Sequence, residues 1–308
     1  MAPSATQTDV PGLGGKVKTQ HEPTPCEAIS HGDILPGIPK FPSFAEERRH
    51  MLVHMAATFR YWSRHNYTEG QSGHISIRDP EFPDLMWMNP LSRHFGMLTA
   101  GDMLLIHMGS GKIVAGRPNP TTNARTANRA GFFIHTAVHR ARPDVHAICH
   151  AHTISGRAWS AFAKPLDMIT QDVCNFYKTH AVYGNYGGIV FGGDEGERIA
   201  AALGTDNKAA ILMSHGLITV GQTVDEAGFL FSLLDKSCAI QLQVEAACAN
   251  GHMKKEIISD EEAAENYKMA SEANVLYREA QADVEFEIAA AGGEHVLAEG
   301  FDDLKIIQ

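Results

Sequence analysis

The chain has 308 residues, with 26 Lys and Arg against 36 Asp and Glu, so its formal net charge at pH 7 is −10; 44% of its residues are hydrophobic. This composition is typical of globular proteins, excludes fibrous and wholly disordered chains, and provides no basic surface for nucleic acid. The sequence contains neither a run of roughly 18 apolar residues nor a secretory signal, which predicts a cytoplasmic protein without a membrane partner.

The composition changes twice along the chain, which predicts three parts. Residues 1–40 are rich in Pro, Gly, Ser and Thr without periodicity and are expected to form a flexible tail. Residues 41–250 are expected to form one α/β domain with helices on both faces of a sheet. Residues 251–308 are rich in Ala and Glu and predict a helical extension.

The first half of the domain alternates between helical and strand patterns. A helix is predicted over 44–66, followed by the strands GHISIR and LMWMN and by a hairpin in LLIHMGSGKIVAG. The period of ANRAGFFIHTAVHRA then predicts a helix that Pro143 stops.

The second half begins with a strand, VHAICHAH, and a helix, TISGRAWSAF, for which Thr153 is the expected N-cap. Beyond HAVYGNYGGIVFGG, a helix is predicted in DEGERIAAAL and two short strands in KAAILMSHGLITVG. A long amphipathic helix is expected to start at Thr223, with Glu226 completing a capping box, and to stop at Gly251.

Two histidines on the predicted strand VHAICHAH suggest a metal site. His150 and His152 are separated by one residue, and alternate side chains of a strand leave the same face. His215 lies at the corner between the two later strands, where Gly216 is expected to allow a sharp turn. Three neutral imidazoles with open positions are typical of a catalytic metal ion, for which zinc is the first choice and iron the second.

Longer motifs around these histidines resemble the class II aldolase/adducin head family. They are RARPDVHAICHAHTISGRAWSAF, QDVCNFY, YGGIVF and ILMSHGLITVGQTVDEAGFLF, with EGQSGHISIRDP and NPLSRHFGMLTAGDML upstream. The resemblance implies an αβα sandwich around a mostly antiparallel, nine-stranded sheet. It also implies a divalent metal on His150, His152 and His215, a small-molecule substrate, and a homotetramer with sites between subunits.

The sequence departs from the sugar-phosphate aldolases of that family at several positions. In those enzymes a Glu on the helix before the H-x-H strand is a ligand and the acid/base, and the matching residue here is Gly131. The family's phosphate-binding residues fall on Gln71 to His74, on Leu91 and Ser92 and on Arg129 and Ala130, without the paired serines. A sugar phosphate is therefore disfavoured, and Ser72, Gly73 and Arg129 are expected to bind another substrate, with Arg129 suited to a carboxylate.

Four residues are candidates to move protons in place of the missing Glu. Glu69 precedes the Gly-rich turn, His74 and His94 lie on segments that line the site in the family, and Asp172 follows the H-x-H helix. Each is selected by position alone, as a general base or as a hydrogen-bonding partner of one.

These residues leave three hypotheses of function. The first is a metal-dependent lyase that performs aldol cleavage or decarboxylation on a small oxygenated acid or carbonyl compound. The second is a non-haem iron oxygenase that uses the same three imidazoles together with O₂. The third is a non-catalytic interaction module like the adducin head, in which the metal histidines are lost, whereas this chain retains all three.

Overall fold

A central sheet organises the computed structural model, which describes residues 24–188 and 193–304. In these residues the sheet has eight strands, one fewer than the resemblance implies, in the order β4-β3-β2-β1-β5-β8-β7-β6. The strands are β1 (His74–Arg78), β2 (Leu85–Met88), β3 (Leu104–His107), β4 (Ile113–Ala115), β5 (Ala147–Ala151), β6 (His180–Tyr183), β7 (Ala209–Leu212) and β8 (Gly216–Gly221). Neighbours are antiparallel except β6 and β7, which are parallel.

Helices connect and cover the strands. They are α1 (Pro25–Ala28), α2 (Phe44–Arg64), α3 (Arg129–Ala141), α4 (Ile154–Ser160), α5 (Gly193–Leu203), α6 (Val224–Cys248), α7 (Asp260–Ala270), α8 (Ala273–Ala291) and α9 (Glu294–Leu297). None of the helices in the described residues combines the length and the apolar character that a membrane span requires.

The alternation of side chains along the strands divides the core between two faces. Ile75 of β1 and Cys149 of β5 pack in one cluster with apolar residues of α2, α6 and α8. Ile148 of β5 and Ile218 of β8 pack on the other face with residues of α3 and α5. The predicted αβα sandwich with a mostly antiparallel sheet is confirmed.

The two ends of the chain contribute to this packing differently. Of the expected flexible tail, residues 1–23 lie outside the described residues, and Ile38 N–H donates to Asn274 Oδ1 at 3.0 Å. In the segment expected as a helical extension, Leu276 and Val284 of α8 are buried in the same core as α2 and α6. Helix α8 therefore contributes to the core of the sandwich.

Side-chain caps fix the helices that surround the sheet. Thr153 caps α4 as predicted, because its hydroxyl accepts a hydrogen bond from Gly156 N–H at 3.2 Å. Thr223 caps α6 through Glu226 N–H, but the Glu226 carboxylate accepts from Gln222 N–H at 2.8 Å and from Lys208 Nζ at 2.9 Å. The expected capping box is therefore half formed, because the Glu226 carboxylate accepts hydrogen bonds from Lys208 and from Gln222 instead of closing the box.

Candidate metal centre and active site

Three histidines converge where β5 ends and where β7 turns into β8. His150 lies on β5, His152 follows it, and His215 lies in the turn. Each offers a ring nitrogen within 4.8 Å of the others. Their ring centroids are 4.8 to 5.0 Å apart. We call these three residues the metal cluster.

The turn that presents His215 depends on its neighbours in a way that the sequence did not indicate. The residue with a positive φ is Ser214, at 55°, and not Gly216. Gly216 is required for a different reason, because a Cβ there would lie 2.9 Å from the Ala151 carbonyl oxygen. The glycine thus allows β8 to approach β5 closely, and this brings His215 to the H-x-H strand.

The hydrogen bond of His150 prepares its other nitrogen for a ligand. His150 Nδ1–H donates to the Leu217 carbonyl oxygen at 2.8 Å, which leaves the lone pair on Nε2. A backbone partner of this kind typically fixes the tautomer and the ring orientation of a metal-binding histidine.

All three rings of the metal cluster favour the neutral form that a metal requires. Burial, followed by the nearby His215 and His74, lowers the pKa of His150 well below its ordinary value. Burial and then Arg157 lower the pKa of His152, against Glu69. Burial and then His152 lower the pKa of His215 to about 4, against Glu195. Three convergent neutral imidazoles fit a divalent metal ion, with positions left for a substrate.

The Gly-rich turn expected to bind substrate lies beside the metal cluster. Gly73 has a φ of 105°, and a Cβ there would lie 3.3 Å from Ala151 Cβ and 3.4 Å from the His150 carbonyl oxygen. Ser72 N–H donates to the Glu69 carbonyl oxygen at 3.0 Å, which closes the turn. Glu69 pairs with Arg157 at 2.8 Å, and its charge acts on His152.

Three of the predicted site residues, His94, Asp172 and Arg129, have exposed side chains. His94 caps a short 3₁₀ helix, where its Nδ1 accepts from Gly96 N–H at 3.2 Å. Asp172 begins another 3₁₀ helix, and Arg129 at the start of α3 lies over the Phe133 ring at 5.7 Å. Across the described residues, no hydrogen bond or ring contact joins these three side chains to the metal cluster.

His74 lies next to the metal cluster and occupies the space beside Gly131. It pairs with His150 across β1 and β5, and the two rings stack with centroids 4.8 Å apart. A Cβ at Gly131 would lie 2.5 Å from His74 Cδ2 and 2.7 Å from His74 Nε2. The resemblance places Gly131 at the position of the Glu of the aldolases, and the ring of His74 lies where a side chain from Gly131 would start.

A buried chain of hydrogen bonds extends from His74 into the interface between β1 and α3. His74 Nδ1 lies 2.7 Å from His135 Nε2, and His135 Nδ1 lies 2.6 Å from Ser76 Oγ. Ser76 Oγ lies 2.8 Å from His139 Nε2, whose Nδ1 is 3.3 Å from the Val145 carbonyl oxygen. Sequence reasoning missed this chain, although His135 and His139 are four residues apart on a predicted helix and therefore share a face.

A second group of possible metal ligands lies where β1 ends and β5 begins, opposite the metal cluster along these strands. It consists of His50, His54 and Asp225, which we call the His54–Asp225 cluster. His54 Nδ1 and Asp225 Oδ1 are 2.5 Å apart, and Gln281 Nε2 donates to the same oxygen at 2.9 Å. His50 and Asp225 line a cavity of about 370 Å³.

Comparison with protein families identifies the family of the chain. The model of the class II aldolase and adducin N-terminal domain matches residues 53–242. The chain belongs to this family. The resemblance stated from the motifs is confirmed, and the matched region contains all the residues of the metal cluster and the chain that starts at His74.

Relatives of known name indicate lyase chemistry. The chain is 38% identical over 259 residues to the meiotically up-regulated gene 14 protein of Schizosaccharomyces pombe, covering 84% of this chain and 96% of that protein. It is 41% identical over 210 residues to decarboxylase NovR of Streptomyces niveus, and this match covers 68% of this chain and 75% of that protein. It is also 41% identical over 210 residues to the 4-hydroxy-3-prenylphenylpyruvate oxygenase/4-hydroxy-3-prenylbenzoate synthase of Streptomyces roseochromogenus. This match covers 68% of this chain and 73% of that protein.

Among solved structures, the chain resembles L-fuculose 1-phosphate aldolase from Glaciozyma antarctica PI12. The two are 33% identical with a TM-score of 0.74, and the match covers 83% of this chain and 95% of that one. Aldolases and a decarboxylase among the relatives support a lyase-type enzyme.

Proposed function

We propose that the protein is a metal-dependent lyase that decarboxylates a small oxygenated acid and does not cleave sugar phosphates. The observation that carries this proposal is the placement of His74 and Gly131 beside three convergent imidazoles. The centre has the nitrogen ligands of a metal lyase, but the helix that supplies a carboxylate in the aldolases supplies none. The name of the NovR relative, a decarboxylase, supports the same reaction class.

His150, His152 and His215 would hold the metal, and zinc is the ion we favour. When bound, the metal would act as a Lewis acid that stabilises negative charge on a substrate oxygen during cleavage of the C–C bond. Three neutral ligands leave the full charge of +2 at the site, which favours an anionic acid with a second oxygen near its carboxylate.

The absence of a carboxylate at Gly131 favours decarboxylation over aldol cleavage. In aldol cleavage a hydroxyl proton must be removed, and a positioned base contributes about 10²–10⁴ in rate. When a β-keto acid loses CO₂, the electrons of the broken C–C bond pass into the enolate, and no proton is removed from carbon. The enolate carbon then takes a proton from solvent. Glu69, His74, His94 and Asp172 remain the candidates for proton transfer, and His74 has the closest contact with the metal cluster.

An iron-dependent oxygenase is the second candidate, because a relative that is 41% identical bears the name of a phenylpyruvate oxygenase. The metal distinguishes the two candidates. Zinc with turnover in the absence of O₂ supports the lyase, and iron with O₂ uptake supports the oxygenase. Metal analysis of protein purified without added metal is therefore the first measurement.

The activity test compares two reactions on the same preparation. In a panel of β-keto and hydroxy acids, we expect CO₂ release from members that carry a β-keto group, and little cleavage of sugar phosphates such as fuculose 1-phosphate. His152→Ala serves as the control for metal-dependent turnover. Cleavage of a sugar phosphate at ordinary enzymatic rates, with no CO₂ release, would overturn the proposal.

We also propose that the enzyme is a homotetramer with small-molecule sites near its subunit interfaces. The proposal follows the family to which the chain belongs. Light scattering at micromolar concentration tests it, and a monomer would contradict it.

A further inference from the structure

Donors and acceptors can be assigned along the whole hydrogen-bond chain behind His74. The assignment starts at the end farthest from His74, where His139 contacts Val145. The Val145 carbonyl oxygen can only accept, so His139 Nδ1 carries the hydrogen of that contact. His139 is 1% exposed, and burial together with the charge of Arg78 lowers its pKa to about 3. The ring is therefore neutral, and its Nε2 has a lone pair.

Each following link is then determined by the one before it. Ser76 has one hydroxyl hydrogen and donates it to His139 Nε2, so the bond between Ser76 and His135 must run the other way. His135 Nδ1–H donates to Ser76 Oγ, which leaves a lone pair on His135 Nε2. His74 Nδ1–H donates to that nitrogen, and the lone pair of His74 is left on Nε2.

The free nitrogen of His74 lies on the side of the ring that faces α3. Its distance of 2.7 Å to a Cβ placed at Gly131 shows that it lies beside the position where a side chain on Gly131 would start. His74 and Ser76 are 4% and 0% exposed, and His135 is 0% exposed, so water does not compete for the chain.

We propose that His139, Ser76 and His135 are positioning residues that hold His74 in the Nδ1–H tautomer, so that His74 Nε2 accepts a hydrogen bond from a substrate hydroxyl. The second half of this inference rests on the proposed function and narrows it to β-keto acids that also carry an O–H group near the carboxylate. A lone pair fixed in this place repels the unprotonated oxygens of a phosphate, which agrees with the exclusion of sugar phosphates.

The tautomer can be measured without any activity. We would label the histidines with ¹⁵N, load the protein with zinc, and record ring ¹⁵N–¹H correlations at pH 7.5. Signals would be assigned from their loss in His74→Gln, His135→Gln and His139→Gln. We expect all three rings to be neutral with the proton on Nδ1. A proton on Nε2 of His74 would overturn the inference.

The role in catalysis is tested with Ser76→Ala, which interrupts the chain without touching His74. We expect a mixture of His74 tautomers and a fall in kcat of about 10–100-fold at unchanged zinc content, the usual effect of losing such a partner. Ser76→Thr keeps the hydroxyl and should restore most of the His74 Nδ1–H tautomer and most of kcat. Ser232→Ala is the matched control, because Ser232 is also buried but donates to the Gly228 carbonyl oxygen within α6.

The outcomes separate this inference from the proposed function. A single His74 tautomer with kcat within twofold of the wild type in Ser76→Ala would overturn the acceptor role. If no acid is turned over, the proposed function fails, and titration with lactate then decides the inference. A shift of the His74 Nε2 signal on binding supports it, and an unchanged signal with bound lactate contradicts it.

Discussion

The metal cluster and the His54–Asp225 cluster lie at opposite ends of β1 and β5 and use similar side chains, but they are built differently. In the His54–Asp225 cluster, His54 and Gln281 both bind Asp225 Oδ1, and Tyr277 Oη lies 3.3 Å from His50 Nε2. In the metal cluster, the one hydrogen bond that the ring nitrogens make in the described residues is that of His150 Nδ1 to a backbone carbonyl.

This difference separates histidines that stabilise a fold from histidines that bind a ligand. Buried polar groups that satisfy one another stabilise packing and leave little for an ion to gain. Neutral rings that converge without satisfying one another retain their lone pairs for a metal. The pattern of hydrogen-bond partners, and not the presence of three possible ligands, is therefore our reason for proposing the metal cluster as the functional site.

The largest expected effect is loss of metal from the metal cluster. His150→Ala, His152→Ala and His215→Ala should each remove the bound metal and almost all activity, while the thermal midpoint of the metal-free protein stays near that of the metal-free wild type. The physical reason is that the two main apolar clusters of the sandwich consist of other residues. Metal content per subunit, measured by mass spectrometry, checks this.

An exposed histidine provides the matched control for these substitutions. His252→Ala should keep the full metal content. Unchanged metal content in all three cluster variants would show that the site is assigned to the wrong residues.

The next effect in size is a loss of stability at the His54–Asp225 cluster without loss of metal. Asp225→Ala leaves His54 and Gln281 buried without their acceptor, and removing one partner of a buried pair typically costs about 3–5 kcal/mol of unfolding free energy. Asp225→Asn keeps one oxygen acceptor and should cost less. Urea unfolding of the metal-free variants measures both, and loss of metal from either variant would mean that the two clusters are not separate.

The smallest effect is the dependence of stability on pH. Burial, followed by the proximity of His54, lowers the pKa of His50 from 6.5 to about 4 in the folded protein. Between these values the unfolded chain binds a proton that folded His50 does not, so stability falls as pH decreases from 6.5 to 4. The low pKa of His139, about 3, extends the fall to lower pH.

Urea midpoints of the metal-free protein between pH 7.5 and 5 measure this slope. In His50→Gln the slope should be smaller, because one of the neutral buried rings has been removed. An equal slope in the variant would assign the pH dependence to other groups.

The parts of the molecule that follow from local periodicity could be predicted from the sequence. The alternation in VHAICHAH predicted His150 and His152 on one strand; β5 ends at Ala151, so His152 lies just beyond it, but the two rings still lie 5.0 Å apart. The two strands around SHG placed His215 at a corner. The long-range pairing could not be predicted in the same way. Nothing in the spacing of Ser76 and His139 indicates that β1 and α3 bring them within 2.8 Å.

The structural role of Gly216 could not be predicted from the sequence for a similar reason. A glycine after a histidine suggests backbone freedom, but its role is a close approach to Ala151 on a strand more than 60 residues earlier. Steric requirements of this type depend on the partner strand, and the register of β5 with β8 is a property of the whole sheet.

The contact between Gly131 and His74 also limits how this site can change in evolution or by engineering. A route toward an aldolase with a carboxylate on α3 would begin with Gly131→Glu, but the first carbon of the new side chain would overlap His74 at 2.5 Å. Replacing His74 first with a smaller residue removes that overlap but leaves His135 Nε2 buried without its donor. Each single step would therefore leave either a steric overlap or an unsatisfied buried nitrogen, so we expect the two positions to change together.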